Sequence, residues 1–124
     1  MSTGLSKSRF VAGWKCHNML WWTVHEPDAP ELRTARWLQD IFDQGTAVGI
    51  RAQAEFSGGL LVDLPYNAYQ EKVEATKEAL ATDAPAIFEA SFLEDGVFVA
   101  VDVLERRDNG FVLIEVKSSK EYDE

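Results

Sequence analysis

The sequence predicts an α+β domain in which N-terminal helices pack on a mainly antiparallel three-stranded β-meander. Apolar residues recur at helical spacing before Pro85, and after it they alternate with a period of two. Turn sequences at residues 94–96 and 108–110 divide the second half into three β-rich runs, and the Asn-Gly pair in the later turn favours a tight hairpin. Helices followed by strands exclude a doubly wound nucleotide-binding fold.

Three helices are expected in the first half of the chain. Ser6 is the expected N-cap of a helix that reaches Val24, because a serine side chain can accept a hydrogen bond from the first turn. A second helical pattern covers residues 34–55, and its glycines predict a bend or break near Gly45. A turn with a short extended piece is expected next, and a third helix covers residues 66–81.

The β-rich runs cover residues 86–92, 97–104 and 111–117, and two of them carry unexpected charges. Strict alternation places Asp102 on one side of its strand with Phe98, Ala100 and Leu104, so that a carboxylate interrupts an apolar face. In the last run the residues Phe111, Leu113, Glu115 and Lys117 share a face. Buried charges cost several kcal/mol unless they are paired or bound to a metal, so we expect a compensating partner.

Composition limits the organisation of the chain. Its 124 residues, 46% of them hydrophobic, predict a single domain over residues 1–124. The formal net charge of -9 gives no general attraction for nucleic acid phosphates. A lone cysteine, Cys16, excludes an internal disulfide and fits a reducing compartment, so we expect a cytoplasmic location. The scattered basic residues near the N-terminus leave no apolar run for a membrane span, so no membrane partner is expected.

Asp102, Glu115 and Lys117 form the candidate site. If the hairpin register brings their strands together, two carboxylates converge beside an ammonium group. Carboxylate oxygens suit Mg²⁺ or Mn²⁺, which can activate water and neutralise a phosphoryl oxygen. The sequence therefore predicts metal-dependent hydrolysis of a phosphodiester.

Asp102, twelve intervening residues and the triplet Glu115-Val116-Lys117 resemble the signature of the PD-(D/E)XK nuclease superfamily, in its RecB-like branch with the CRISPR-associated RecB-type exonucleases. The stretches "LSKSRFVAGWKCHNMLWW", "FDQGTAVG" and "IFEASFLEDGVFVAVDVL" are similar to the family's first helix, the helix that approaches the metal and the first core strands. The resemblance implies a partial restriction-endonuclease-like core that cleaves DNA, single-stranded or double-stranded, with Mg²⁺ or Mn²⁺. It implies Asp102 and Glu115 as catalytic metal ligands, the Val116 carbonyl as a third ligand, Lys117 as the catalytic lysine and Glu89 as an accessory acidic residue.

The chain departs from the family pattern at three points. Gly49 stands where many RecB-like nucleases have a metal-binding histidine. The sequence ends seven residues after Lys117, whereas the family continues into a further helix and strand, so we expect a C-terminally truncated or minimal core unless a second chain completes it. Some relatives also carry an iron–sulfur cluster, but Cys16 alone cannot hold one, and we expect none.

A second interpretation stays open beside the nuclease. The alternative is a non-catalytic or incomplete nuclease-like module that acts by binding protein or nucleic acid. The open edge of the last strand also predicts a homodimer, or a partner protein that completes the fold.

The aromatic and basic residues of the helices have two interpretations. Trp14, Trp21, Trp22 and Trp37 can stack on bases, but their helical spacing favours core packing, and the same holds for Cys16 as a small core residue. Lys7, Arg9 and Lys15 either contact a phosphate backbone or form a solvated face.

Overall fold

A computed structural model describes residues 4–118 of the chain and confirms the α+β class. Among these residues, four helices accompany a five-stranded mixed sheet. The helices are α1 (Lys7–Lys15), α2 (His17–His25), α3 (Arg36–Gln53) and α4 (Tyr69–Leu80), with a 3₁₀ turn at Pro30–Leu32. The strands are β1 (Leu5–Ser6), β2 (Leu60–Leu61), β3 (Ala86–Glu94), β4 (Val97–Arg107) and β5 (Gly110–Ile114).

The predicted antiparallel meander is present in β3, β4 and β5. The pair Glu94–Val97 closes the first hairpin around Asp95 and Gly96, which have φ angles of 49° and 76°. Two consecutive positive φ angles suit a tight turn that follows the right-handed twist of the strands. β5 stops at Ile114, so Glu115, Val116 and Lys117, which the sequence places in the strand, lie just beyond it, and the predicted end of the strand is wrong.

Two short parallel strands complete the sheet. β2 pairs with β3, and β1 pairs with β4 through Leu5–Val97 and Ser6–Phe98. A strand of two residues contains no alternation, which is why β1 gave no signal in the sequence. β1 and β5 both pair with β4 but at opposite ends of it, so residues 99–102 lie between the two paired stretches.

The first predicted helix is divided in two. Ser6 is its N-cap as expected, since Oγ accepts a hydrogen bond from the Arg9 N–H at 3.3 Å. Cys16 is extended, with φ -164° and ψ 122°, and it separates α1 from α2. The break folds the two helices onto each other, and Gly13 makes room, because a Cβ there would lie 2.8 Å from Leu20. Cys16 is exposed, so its predicted place in the core is wrong.

α3 is one unbroken helix of 18 residues, so the predicted break at Gly45 is wrong. A Cβ at Gly45 would meet no other group within 4 Å, so no neighbouring group requires a glycine there. Trp37 of α3 is 66% exposed and Trp14 of α1 is 82% exposed, which contradicts their predicted core packing; Trp21 is also half-exposed. No helix among residues 4–118 has the length and apolar character needed to cross a membrane.

The core consists of two clusters around β3 and β4. Strict alternation along β4 fails at Asp102, because Leu104 packs in the cluster of Val101 while Val103 packs with Phe88 in the other. The predicted grouping of Leu104 with Asp102 is therefore wrong. The first cluster contains Val62, Ala79, Ile87, Ala90, Val101 and Leu104, and the second contains Ala86, Phe88 and Val103, with Phe56, Ile114 and Val116 packed against it.

Candidate functional site

The candidate site begins with two carboxylates on neighbouring strands. Glu89 of β3 faces Asp102 of β4, because the flanking residues pair as Phe88–Val103 and Ala90–Val101. Glu89 has a φ of 58°, a conformation that an L-residue adopts at a cost of about 1–2 kcal/mol. The interruption of the alternation at this point lets Glu89 and Asp102 border the same cavity as Val103.

The surroundings of Glu89 disfavour the ionised form of its side chain. Burial is the larger cause that raises the pKa of its carboxyl above the usual value, and the neighbouring charge of Asp102 raises it further. The ammonium of Lys72 on α4 opposes both effects. The two carboxylates lie close together and one of them is partly desolvated. A bound cation would reduce the repulsion between them.

Asp102 holds the chain that follows β5. Its Oδ2 accepts a hydrogen bond of 2.8 Å from the Val116 N–H. The Val116 side chain packs against the cluster of Phe88 and Val103, which anchors the same residue from its other end. Glu115 and Lys117 are thereby fixed on either side of an anchored valine.

Glu115 is held by two lysines. Its Oε1 lies 2.6 Å from Nζ of Lys7 and 2.8 Å from Nζ of Lys117. The hydrogen bond from Lys117, followed by that from Lys7, lowers the pKa of the Glu115 carboxyl to about 2. The pairing with Glu115 also raises the pKa of the Lys117 ammonium. Glu115 is therefore an anion and Lys117 is a cation at neutral pH.

The predicted site residues border one cavity of about 640 Å³. α3 forms its other wall, and Gly49, the position where the resembled family has a histidine, is part of that wall. A Cβ at Gly49 would meet no other group within 4 Å. The lining residues from the sheet side are Glu89, Asp102, Val103, Glu115, Val116 and Lys117.

A second cavity of about 470 Å³ leads away from the same carboxylates toward α1. Glu89 and Asp102 line both cavities, so they stand where the two meet. Lys7 and Lys15 of α1 also line the second cavity. The carboxylates therefore lie in a groove bordered by α3 on one side and by basic residues of α1 on the other.

The donor chemistry fits a hard divalent cation, because Glu89, Asp102 and Glu115 supply carboxylate oxygens and Val116 supplies a carbonyl. As they are arranged, no three His, Cys, Asp or Glu side chains between residues 4 and 118 lie close enough together to hold a metal ion. Glu115 is directed to Lys7 and Lys117 instead. Coordination by all three carboxylates would need Glu115 to leave those lysines.

The structure places all five predicted site residues along one cavity: Asp102, Glu115, Lys117, Val116 and Glu89. The sequence did not identify the contact between Lys7 and Glu115, which are 108 residues apart. The only local sign was the cap at Ser6, which places Lys7 at the start of α1 without indicating what it faces.

Comparison with known proteins adds no relative to this picture. No protein-family model matches the chain, and no curated protein or solved structure matches it significantly.

Proposed function

We propose that this protein hydrolyses DNA phosphodiesters with a divalent cation, Mg²⁺ or Mn²⁺, as a RecB-like nuclease core. One observation carries the proposal: Glu89, Asp102, Glu115 and Lys117 border one cavity although they come from two strands and the segment after a third. The resemblance of the Asp102 and Glu115-Val116-Lys117 pattern to the PD-(D/E)XK signature supports the same reaction.

A bound divalent cation would supply charge neutralisation at the phosphate and activation of water. Asp102 and Glu115 are the residues proposed to hold it, with the Val116 carbonyl as a third donor and Glu89 as an accessory carboxylate. Lys117 offers a permanent positive charge, since its raised pKa keeps the ammonium protonated at neutral pH. Its proposed role is to stabilise the negative charge that develops on the scissile phosphate.

Local charge supports DNA binding despite the net charge of -9. Lys7 and Lys15 line the α1 side of the groove, and Lys117 lies on the α3 side. A phosphate backbone that passes over the carboxylates would meet cations on both sides. Because the slope of log affinity against log salt scales with the number of phosphate contacts, binding through so few cations should weaken only modestly as the salt concentration rises.

A cleavage assay tests the proposal. Fluorescently labelled single-stranded and double-stranded DNA are incubated with the protein in Mn²⁺, in Mg²⁺ and in EDTA. We expect metal-dependent cleavage that Asp102→Asn and Lys117→Met each reduce by at least about a hundredfold, as removal of a stabilising group in an active site does.

Lys77→Met is the matched control for Lys117→Met. Lys77 also pairs with a glutamate, Glu74, and is 65% exposed, but it borders neither cavity of the groove. Cleavage should be unchanged in this variant. Cleavage that persists in both Asp102→Asn and Lys117→Met, or that EDTA does not stop, would contradict the proposal.

The second candidate is a non-catalytic module that binds a partner protein or nucleic acid. Exposed apolar side chains on α1 and α3 support it, since Trp14, Trp37, Ile41 and Phe42 are each at least 50% exposed. A protein that takes up no Mn²⁺ in calorimetry and cleaves no DNA, yet is folded, would favour this function over hydrolysis.

The oligomeric state is a separate proposal. Among residues 4–118, β5 pairs with β4 alone, and Phe111, Val112 and Leu113 are at least 40% exposed. An uncharged strand edge of this kind favours pairing with a second copy or a partner protein. Light scattering that gives a monomer at every concentration tested would exclude the homodimer. A cytoplasmic location remains the proposal that the single cysteine supports.

A further inference from the structure

We infer that Lys7 binds phosphate in the groove. Glu115 holds the Lys7 ammonium until a divalent cation binds to that carboxylate. The inference rests on the proposed function and assigns a role to a residue outside the predicted catalytic set. Under this inference Lys7 is released when the metal binds, and it then contacts the phosphate of the substrate.

The geometry brings Lys7 to Glu115 through the sheet. Lys7 follows β1 directly, Glu115 follows β5 directly, and both strands pair with β4. Their side chains meet beside the stretch of β4 that lies between its pairings with β1 and β5 and contains Asp102, with Nζ of Lys7 2.6 Å from Oε1 of Glu115. The cap at Ser6 fixes the start of α1 and so fixes where Lys7 emerges.

Glu115 is shared between two lysines, and only one of them is in the resembled signature. Nζ of Lys117 also lies 2.8 Å from Oε1 of Glu115. Both ammonium groups lie on Oε1 of Glu115, and their positive charges disfavour a divalent cation at the same carboxylate, so binding of the cation and binding of Lys7 weaken each other. Lys7 is the residue that can leave without disturbing the anchored Val116 segment, because it belongs to a different element.

The surroundings indicate where a released Lys7 would go. Its side chain is 63% exposed, so its four-carbon stem is free to turn. It lines the second cavity with Lys15, beside Asp102 and Glu89. A released ammonium therefore stays in the groove next to the carboxylates, where it adds to the positive charge that Lys15 offers a DNA phosphate.

Calorimetric titration with Mn²⁺ tests the first half of the inference. Lys7→Met removes the competing ammonium, so we expect Mn²⁺ to bind about two- to fivefold more tightly, which corresponds to the modest strength of an exposed ion pair. Lys77→Met is the control, because Lys77 is also an exposed lysine paired with a glutamate, Glu74, but it borders neither cavity of the groove. It should leave the Mn²⁺ affinity unchanged within about 1.5-fold.

Fluorescence anisotropy with a labelled single-stranded oligonucleotide tests the second half. The measurement uses Ca²⁺ as the cation, with a gel to verify that the oligonucleotide is intact. Lys7→Met should weaken binding severalfold and lower the slope of log affinity against log salt by about one, as loss of one phosphate contact does.

The outcomes separate this inference from the proposed function. Wild-type protein that takes up no Mn²⁺ overturns the proposed function, and the role of Lys7 falls with it. Wild-type protein that binds Mn²⁺ while Lys7→Met binds it no more tightly overturns the role of Lys7 alone. Tighter Mn²⁺ binding with unchanged oligonucleotide affinity overturns it as well, because Lys7 would then compete with the cation without contacting phosphate.

Discussion

The Val116 N–H donates a hydrogen bond of 2.8 Å to Oδ2 of Asp102. The carboxylate that interrupts β4 is thus the acceptor for the chain segment that carries Glu115 and Lys117. The Asp102 side chain therefore links the two halves of the candidate site.

Replacing Asp102 should separate its structural role from its charge. Asp102→Asn retains an oxygen that can accept from Val116 and removes the repulsion with Glu89, so the free energy of unfolding in EDTA should not fall. Asp102→Ala removes the acceptor and should destabilise the protein by about 1 kcal/mol. Urea denaturation measures both changes.

The same two variants, which should differ in stability, should not differ in metal binding. Both Asp102→Asn and Asp102→Ala should lose Mn²⁺ affinity, because both lack the carboxylate. If Asp102→Asn bound Mn²⁺ as tightly as the wild type, the carboxylate would have a structural role only.

Glu89→Gln should stabilise the metal-free protein at pH 7. The amide keeps the shape of the side chain but removes a charge that burial and Asp102 both disfavour. We expect the melting temperature in EDTA to rise by a few degrees and the Mn²⁺ affinity to fall. A stabilised variant with weaker metal binding is the usual result of neutralising a strained functional group.

The pH dependence of this effect has a definite sign. The folded-state pKa of Glu89 is raised, so its ionised form costs stability above that pKa, and the cost disappears as the pH falls through it. Glu89→Gln should therefore gain stability over the wild type at pH 7 and little or nothing near pH 4. An equal gain at both values would contradict the electrostatic explanation.

Glu115 has the opposite shift. Its folded-state pKa is about 2 against an ordinary value of 4.5, so the stabilisation from its ion pairs is complete above about pH 4.5 and is lost between there and about pH 2. Carboxyl NMR titration should show this low pKa in the wild type. Lys117→Met and Lys7→Met should each raise the pKa, since the hydrogen bonds from Lys117 and from Lys7 both lower it. Lys77→Met should leave it unchanged.

Thr76 should be a strong stability determinant outside the site. Its side chain is 1% exposed, and its Oγ1 accepts a hydrogen bond of 2.8 Å from the Ser91 N–H while donating one to the Lys72 carbonyl. Thr76→Val has nearly the same shape but leaves the N–H of buried Ser91 without an acceptor, so we expect a loss of about 1–3 kcal/mol in urea denaturation. Thr76→Ser retains the hydroxyl and should lose less.

Gly49→His should strengthen metal binding. Gly49 lines the cavity opposite the carboxylates, and a Cβ there meets no other group within 4 Å. An imidazole at this position adds a nitrogen donor that Mn²⁺ accepts. Gly45→His is the control, because Gly45 lines the same cavity one helical turn earlier and is equally unobstructed. Equal Mn²⁺ affinities for the two variants would show that position 49 has no special relation to the carboxylates.

The meander was predictable because its signals are local. The Glu94 to Val97 turn and the alternating valines of β4 identify strands and connection without knowledge of the rest of the chain. The grouping of Asp102 with Glu115 followed from the hairpin. The change of side at Leu104 did not, because it depends on the backbone conformation of Glu89 on the neighbouring strand.

The helical half was harder to predict for a physical reason. Helical spacing indicates that Trp14 and Trp37 lie on an apolar stripe, but the spacing does not say whether another element covers that stripe. The break at Cys16 depends on Leu20 packing over Gly13, which is a tertiary contact. Lys7 lies at the site only because β1 and β5, which are distant in sequence, both pair with β4.

α3 has no buried residue along its 18 positions, although it forms one wall of the cavity that contains the carboxylates. Little apolar surface is therefore removed from water by its docking, and its detachment should cost far less free energy than opening of the sheet. Its backbone amides should exchange with solvent deuterium well before those of β3 and β4. Displacement of this single helix can then expose Asp102, while the strands that position the carboxylates stay folded.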